Sequence, residues 1–292
     1  MPSTATSVRL VTTIAECRDA IGKARAEGAR IGFVPTMGAL HAGHISLVER
    51  SRRESDFTAM SIFVNPLQFG PTEDLSRYPR PVENDERMAA EAGVDLLFRP
   101  AVEEMYHGDR TVTVTAGVLG SEWEGKSRPG HFDGVLTVVA KLFNIVQPDV
   151  AVFGRKDLQQ AALVTSMVRD LDMPIRIDIS PIVREADGLA LSSRNRYLTP
   201  EQRASALSLN RALRAIVSRF SSGERDAAAL EQVGLGEMAR DGEVRVDYLA
   251  VVDPRTFTRP KLADSSSAAI VAARVGTTRL IDNVSLGSND SD

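Results

Sequence analysis

Ile31-Gly32-Phe33-Val34-Pro35-Thr36-Met37-Gly38-Ala39-Leu40-His41-Ala42-Gly43-His44 reads as a short apolar strand that breaks at Pro and Gly and re-enters a helix. Such a stretch is the first unit of an α/β nucleotide fold. The N-terminus of the helix offers unpaired N–H groups and the positive end of its dipole to phosphates. Two of the four histidines lie here, and His41 and His44, three residues apart, share one face of the helix.

Working outward, residues 14–29 read as an amphipathic helix, and residues 43–55 carry Ile45, Leu47 and Val48 among charges at helical spacing. Residues 57–64 read as a second strand halted by Asn65-Pro66, residues 81–93 as a polar-faced helix, and residues 94–98 as a third strand ended by Pro100. Asp133 is placed to cap a helix over 134–146; strand 149–153, helix 158–171 and strand 175–179 follow. Strands alternating with helices imply right-handed βαβ units and a mostly parallel sheet. Residues 111–115, Thr-Val-Thr-Val-Thr, alternate strictly and read as an edge strand or a subunit contact. From about residue 183 the pattern changes to a polar loop, helices over 200–220 and 226–240, and strands 244–252, 268–274 and 279–281. The expected fold is α/β: a Rossmann-like parallel-sheet nucleotide-binding domain, 1–182, followed by a smaller C-terminal α+β domain, 183–292.

The 292 residues carry a formal net charge of −4, which argues against a duplex nucleic acid partner and leaves room for a local cationic pocket. Lysine is scarce: Lys23, Lys126, Lys141, Lys156 and Lys261 are the whole set, so a lysine at a strand end stands out. The one cysteine, Cys17, rules out an internal disulfide and a cysteine-built metal site, and fits a reducing cytoplasm. On its helix it reads as a small buried hydrophobe. Residues 1–11 lack the apolar core of a signal peptide, and no run approaches a membrane span.

Ligands of open α/β sheets bind outside the carboxyl ends of the strands. Three polar, Gly- or Pro-marked stretches end strands here: Met37 to His44, Asn65-Pro66-Leu67-Gln68-Phe69, and Gly154-Arg155-Lys156-Asp157-Leu158-Gln159-Gln160. A fourth, Leu191-Ser192-Ser193-Arg194-Asn195, lies past the domain boundary. His41 and His44 admit two readings: a capping, half-buried pair, or imidazoles donating to phosphate oxygens, the second favoured by Gly38 and Gly43, which let a backbone approach a triphosphate. A metal site is weaker, since the only other histidines are His107 and His131. Lys156-Asp157 reads either as a helix cap beside a solvated charge or as an ammonium facing phosphate. Gln68 and Gln160 are surface amides, or a pair suited to a small hydroxy acid. Ser192-Ser193-Arg194 alone is a hydroxyl-rich turn. A Ser-His-Asp order, a nucleophile elbow, a Walker A motif and Gly-x-Gly-x-x-Gly are all absent from the sequence.

Taken together, the motifs resemble the pantothenate synthetase, or pantoate–β-alanine ligase, family of the class I synthetase-like nucleotidyltransferases. They are Val34-Pro35-Thr36-Met37-Gly38-Ala39-Leu40-His41-x-Gly43-His44, Ser61-Ile62-Phe63-Val64-Asn65-Pro66-x-Gln68-Phe69, Tyr78-Pro79-Arg80, Arg128-Pro129-x-His131-Phe132-x-Gly134-Val135, Lys156-Asp157-x-Gln159-Gln160 and Val183-Arg184-Glu185-x-Asp187-Gly188-Leu189-Ala190. The resemblance runs from about Ile31 to Asn283.

It implies a two-step ligase in which ATP adenylates the carboxylate of (R)-pantoate and β-alanine then displaces AMP. On that resemblance His41 and His44 contact ATP, His44 as proton donor at the phosphates. Lys156, Ser192, Ser193 and Arg194 hold the triphosphate, and Asp157 the ribose. The nucleotide site further takes in Met37, Gly38, Ala39, Leu40, Ala42, Gly43, Gly154, Arg155, Val183 and Leu191. Pantoate falls to Gln68 and Gln160, with Asn65, Pro35, Met37 and His131 beside it. Magnesium travels with the ATP phosphates and needs no site of its own. The resemblance also implies a homodimer through the N-terminal domain and a C-terminal domain that acts as a lid. Three positions depart from the family pattern: Leu191 in place of Met, Arg155 in place of Glu, and Leu158 in place of an aromatic residue. The rival readings are another nucleotidyl-transferring enzyme of the superfamily and a catalytically silent nucleotide-binding module.

Overall fold

The computed structural model describes residues 8–71, 73–108 and 111–287. In chain order the elements are β1 (Arg9–Val11), α1 (Ile14–Ala26), β2 (Ile31–Thr36), α2 (Ala42–Glu54), β3 (Phe57–Ile62), α3 (Val82–Glu91), β4 (Leu96–Phe98), α4 (Val102–Met105), α5 (Glu124–Ser127), α6 (His131–Val146), β5 (Val150–Gly154), α7 (Leu158–Asp170), β6 (Arg176–Ser180), α8 (Pro200–Ser221), α9 (Ala227–Met238), β7 (Val244–Val252), β8 (Ala268–Val275) and β9 (Thr278–Ser285). They fall into two units. The first takes the chain up to Gly120 with Arg128–Arg155 and Leu163–Pro181; the second takes Ser121–Ser127, Lys156–Ala162 and the chain from Ile182.

The first unit is a six-stranded sheet in the order β1-β4-β3-β2-β5-β6, and every pairing in it is parallel. From β2 the chain moves outward through β3 and β4, then returns to lay β5 and β6 on the other side. The order therefore reverses between β2 and β5, where open α/β sheets place their ligands. Successive side chains of a strand point to opposite faces, and both faces are covered. Ile31, Phe33, Phe98, Ala151 and Phe153 share one core with residues of α1 and α6. Val34, Met60, Leu97 and Val152 share the other with Leu47 and Val48 of α2 and Ala89 of α3. β1, only three residues long, was too short to read from the sequence pattern.

Two expectations are corrected here. Residues 111–115 form no strand: the Val114 N–H donates to Thr137 Oγ1 at 3.0 Å and the Ala116 N–H to Asp133 Oδ1 at 2.7 Å, while Val112 is exposed. Alternating β-branched residues meet the local preference of a strand, but the acceptors that receive these amides are side chains on α6. Asp133, for the same reason, is not a helix cap. It lies in the first turn of α6, which starts earlier, after a left-handed Gly130 at φ 79°.

The second unit pairs β7, β8 and β9 as an antiparallel meander. Leu209, Leu213 and Ile216 of α8 and Leu230 of α9 pack with Leu249, Val251, Val271 and Ala273 of the sheet. α8 starts where Thr199 and Gln202 cap each other ahead of Pro200, and α9 where Asp226 accepts the Ala229 N–H at 2.9 Å. β9 runs to Ser285, past the expected end at 281, because its pairing with β8 continues through Asp282 and Asn283, which are polar but buried.

Cys17 is fully buried on α1, and burial pushes its thiol up to about 12. A disulfide reagent at pH 8 is expected to leave the native chain unlabelled and to modify one thiol once urea unfolds it. Rapid labelling of the native protein would contradict this packing.

Candidate active site

In the first unit, the turn after β2 takes two consecutive left-handed residues, Gly38 at φ 81° and Ala39 at φ 49°. Such a turn needs an acceptor for the amides it redirects. Asp85, a buried residue of α3, supplies it: Oδ2 accepts the Ala39 N–H and Oδ1 the Leu40 N–H, each at 2.8 Å. Thr36 Oγ1 accepts the Gly38 N–H at 3.2 Å and donates to Ser61 O at 2.7 Å. A Cβ on Gly38 would sit 2.9 Å from Asp85 Oδ2, so glycine is required both by the turn and by the carboxylate beneath it.

α2 begins directly after this turn with no acidic residue in its first turn, so no carboxylate there neutralises its positive end. His41 is its N-cap, with Nδ1 accepting the Gly43 N–H at 3.1 Å, and His44 Nδ1 accepts the His41 N–H at 3.3 Å. The rings lie 4.0 Å apart, centroid to centroid. An imidazole that accepts at Nδ1 carries the proton of its neutral form at Nε2. The two readings of this pair are therefore compatible: Nδ1 caps the helix, and the proton of the neutral ring sits on Nε2.

Asn65 caps the short 3-10 turn Pro66–Gln68, and both Asn65 and Gln68 are buried. The Asn65 amide donates to Gln68 Oε1 at 3.1 Å and to Gly134 O at 3.0 Å, while its Oδ1 accepts from Tyr106 Oη at 2.8 Å. Gln68 Nε2 lies 3.1 Å from Met37 Sδ, which brings the amide pair beside the β2–α2 turn. α6 packs directly on this turn at Gly134, where a Cβ would stand 2.7 Å from Gln68 N. His131, expected on substrate, has both ring nitrogens on protein groups: Nδ1 meets Gln68 O at 2.9 Å and Nε2 meets Arg128 Nη1 at 3.0 Å. Pro35 pairs with Ser61 inside the sheet; Gly154 ends β5 and Arg155 opens the 3-10 turn that follows, both half-buried.

The second unit holds the remaining expected residues. Lys156 and Asp157 lie in a 3-10 turn, their charged atoms 3.9 Å apart, and Gln160 is half-buried in the first turn of α7. Its neighbour Gln159 is structural, binding Glu124 N and Glu122 O at 3.1 and 3.0 Å. Val183 and Leu191 close a loop through Leu191 N–H to Val183 O at 3.0 Å. Ser192 Oγ accepts the Arg194 N–H at 3.2 Å and caps the turn Ser193–Tyr197. Two adjacent residues of β9 anchor these segments: Asn283 donates to Lys156 O at 3.0 Å, and Asp282 receives Arg184 at 2.7 and 3.0 Å. Burial pushes the Asp282 carboxyl above the usual carboxylate range, against the pull of Arg184. Asp85, Tyr106, Asp282 and Asn283 were missed in the sequence. The last two were visible there only as a polar interruption of an apolar run.

A family model described as pantoate-beta-alanine ligase matches residues 9–285. The chain belongs to that family. It is 53% identical over 283 residues to a pantothenate synthetase of Moorella thermoacetica, covering 97% of this chain and all of that one. The crystal structure of pantothenate synthetase from Thermus thermophilus is 49% identical, covers 96% of this chain and all of its own, and superposes with a TM-score of 0.92. Pantoate-β-alanine ligase from Francisella tularensis, solved with β-γ ATP and β-alanine, is 31% identical over 97% of this chain and all of its own, with a TM-score of 0.80.

In this ligase, Asp85→Ala leaves two buried amides unpaired, which costs about 2–5 kcal/mol and lowers the melting temperature by roughly 5–15 °C. Asp85→Asn, which keeps one acceptor oxygen, should lose less. Calorimetry that finds the Ala variant as stable as the parent would remove Asp85 from this role.

Proposed function

We propose that this ligase makes pantothenate by adenylating (R)-pantoate. A carboxylate oxygen attacks the α-phosphorus of ATP and expels pyrophosphate. The amine of β-alanine then attacks the carbonyl carbon, AMP leaves with the electrons of the broken C–O bond, and the amine loses a proton. The carrying observation is the first-unit constellation: a helix N-terminus with no acidic residue in its first turn and two histidines that accept through Nδ1, beside the buried Asn65 and Gln68 amides at Met37. The first half suits phosphate oxygens that gain charge as pyrophosphate leaves; the second suits a small hydroxy acid.

His41 and His44 donate from Nε2 to those oxygens, His44 being the proton donor. Lys156, Ser192, Ser193 and Arg194 hold the triphosphate, the two cations offsetting its charge and the hydroxyls donating to its oxygens, Asp157 takes the ribose, and Met37, Gly154 and the Val183 main chain take the adenosine. Gln68 and Gln160 orient pantoate, and magnesium arrives on the nucleotide phosphates as part of the substrate. The ligands that the Francisella relative is solved with support the nucleotide and amine halves of this reading. The homodimer rests on the resemblance and on exposed Val112 and Val118, not on a strand at 111–115. Light scattering at micromolar concentration that finds a monomer would set it aside. No described helix is long and apolar enough to cross a membrane, and residence in the cytoplasm rests on the single buried cysteine.

With ATP, magnesium and pantoate, the enzyme is expected to exchange labelled pyrophosphate into ATP without β-alanine and to stop when pantoate is omitted. His44→Ala and Lys156→Ala should each slow single-turnover adenylation about 10²- to 10³-fold, both variants remaining folded, with His44→Ala melting a few degrees lower because it also removes the acceptor of the His41 N–H. Exchange that needs no pantoate would point to an adenylylated enzyme and contradict the scheme.

A further inference from the structure

The motif Arg128-Pro129-x-His131 is left without a chemical role by the reaction, yet its side chains make a directed chain of hydrogen bonds ending on Gln68. Arg128 grips Glu73 through both arms: Nε donates to Oε1 at 2.8 Å and Nη2 to Oε2 at 2.6 Å. The same Nη2 donates to Gln68 O at 3.2 Å, and Nη1 lies 3.0 Å from His131 Nε2. These contacts use four of the five N–H groups of the guanidinium.

A guanidinium only donates, so His131 Nε2 is an acceptor and the proton of the neutral ring sits on Nδ1. That proton points to Gln68 O, 2.9 Å away. The Gln68 carbonyl thus receives two donors, one from each member of the motif, while α6 crowds its nitrogen at Gly134. From a main chain held on both sides, the Gln68 side chain extends to where its amide meets Asn65 and Met37. Both charged partners are half-buried, and the fork geometry fixes the guanidinium plane more closely than a lysine ammonium would. Burial works against ionisation of Glu73, but the hydrogen bonds and charge of Arg128 win and hold its carboxyl below the usual range.

We propose that Glu73, Arg128 and His131 are positioning residues for pantoate, acting through the main chain of Gln68 and not by touching substrate. The inference rests on the assignment of Gln68 to pantoate. It makes Glu73 set the plane of Arg128, Arg128 set the tautomer of His131, and His131 set the carbonyl of Gln68. Arg128 is therefore not a receptor for either substrate carboxylate.

The test is the steady-state KM for each of the three substrates in the full-length enzyme. Arg128→Lys should raise the pantoate KM about tenfold, with the KM values for ATP and β-alanine within about twofold of the parent. Glu73→Gln, the milder change, should move the same constant in the same direction. His131→Asn keeps an N–H near the place of Nδ1 and should stay closer to the parent than His131→Ala. In a Gln68→Ala background, Arg128→Lys should add nothing further, since the pathway ends at Gln68. A rise in the β-alanine KM alone, equal rises for ATP and pantoate, or full additivity with Gln68→Ala would each overturn the proposal. If Gln68→Ala raises the pantoate KM and Arg128→Lys does not, the relay falls and the assignment of Gln68 stands. If Gln68→Ala leaves the pantoate KM unchanged, both fall.

Discussion

A buried parallel strand that turns sharply into a helix leaves a set of redirected main-chain amides, and the carboxylate of Asp85 is what holds them. It accepts two consecutive N–H groups from a left-handed pair that would otherwise be strained and unsatisfied. With that turn fixed, α2 starts where it does, and His41 and His44 can cap it through Nδ1. The capping hydrogen bonds in turn set which ring nitrogen carries the proton. One buried acceptor thus sets the local geometry on which the proposed phosphate chemistry depends.

The same construction recurs at each functional segment. Side chains assigned to substrate stand on main chain that is clamped by other, buried polar groups. Gln68 stands on a turn held by Asn65, His131 and Arg128. In the second unit, Lys156 stands on a turn held by Asn283, and the Val183 to Arg194 loop is tied to Asp282 through Arg184. Buried polar groups of this kind are costly unless every partner is in place, so they specify one arrangement of the loop they hold. Preorganisation of donors before charge develops is what a group-transfer site requires.

Much of this was legible in the sequence. The apolar runs at β2, β3 and β5, each followed by Gly or Pro, are long enough and regular enough to read, and they place the strand ends where the candidate site residues lie. The Gly38 and Gly43 spacing with His41 and His44 marked the turn between β2 and α2 for the same reason. What stayed hidden is tertiary. Asp85 looks like any charge on a polar-faced helix until α3 is packed against the β2–α2 turn. Residues 111–115 have the local preference of a strand and lack a partner edge. Asp282 and Asn283 broke the apolar pattern of β9, although their burial is the reason they matter.

The chemistry follows from charge. A carboxylate resists attack by an amine, and transfer to AMP gives it a leaving group, so the oxygen that leaves with AMP must have come from pantoate. Pantoate labelled with 18O in both carboxylate positions, turned over with ATP and β-alanine, should yield AMP carrying one 18O by mass spectrometry and pyrophosphate carrying none. Unlabelled AMP, or label in pyrophosphate or inorganic phosphate, would contradict adenylation at this site.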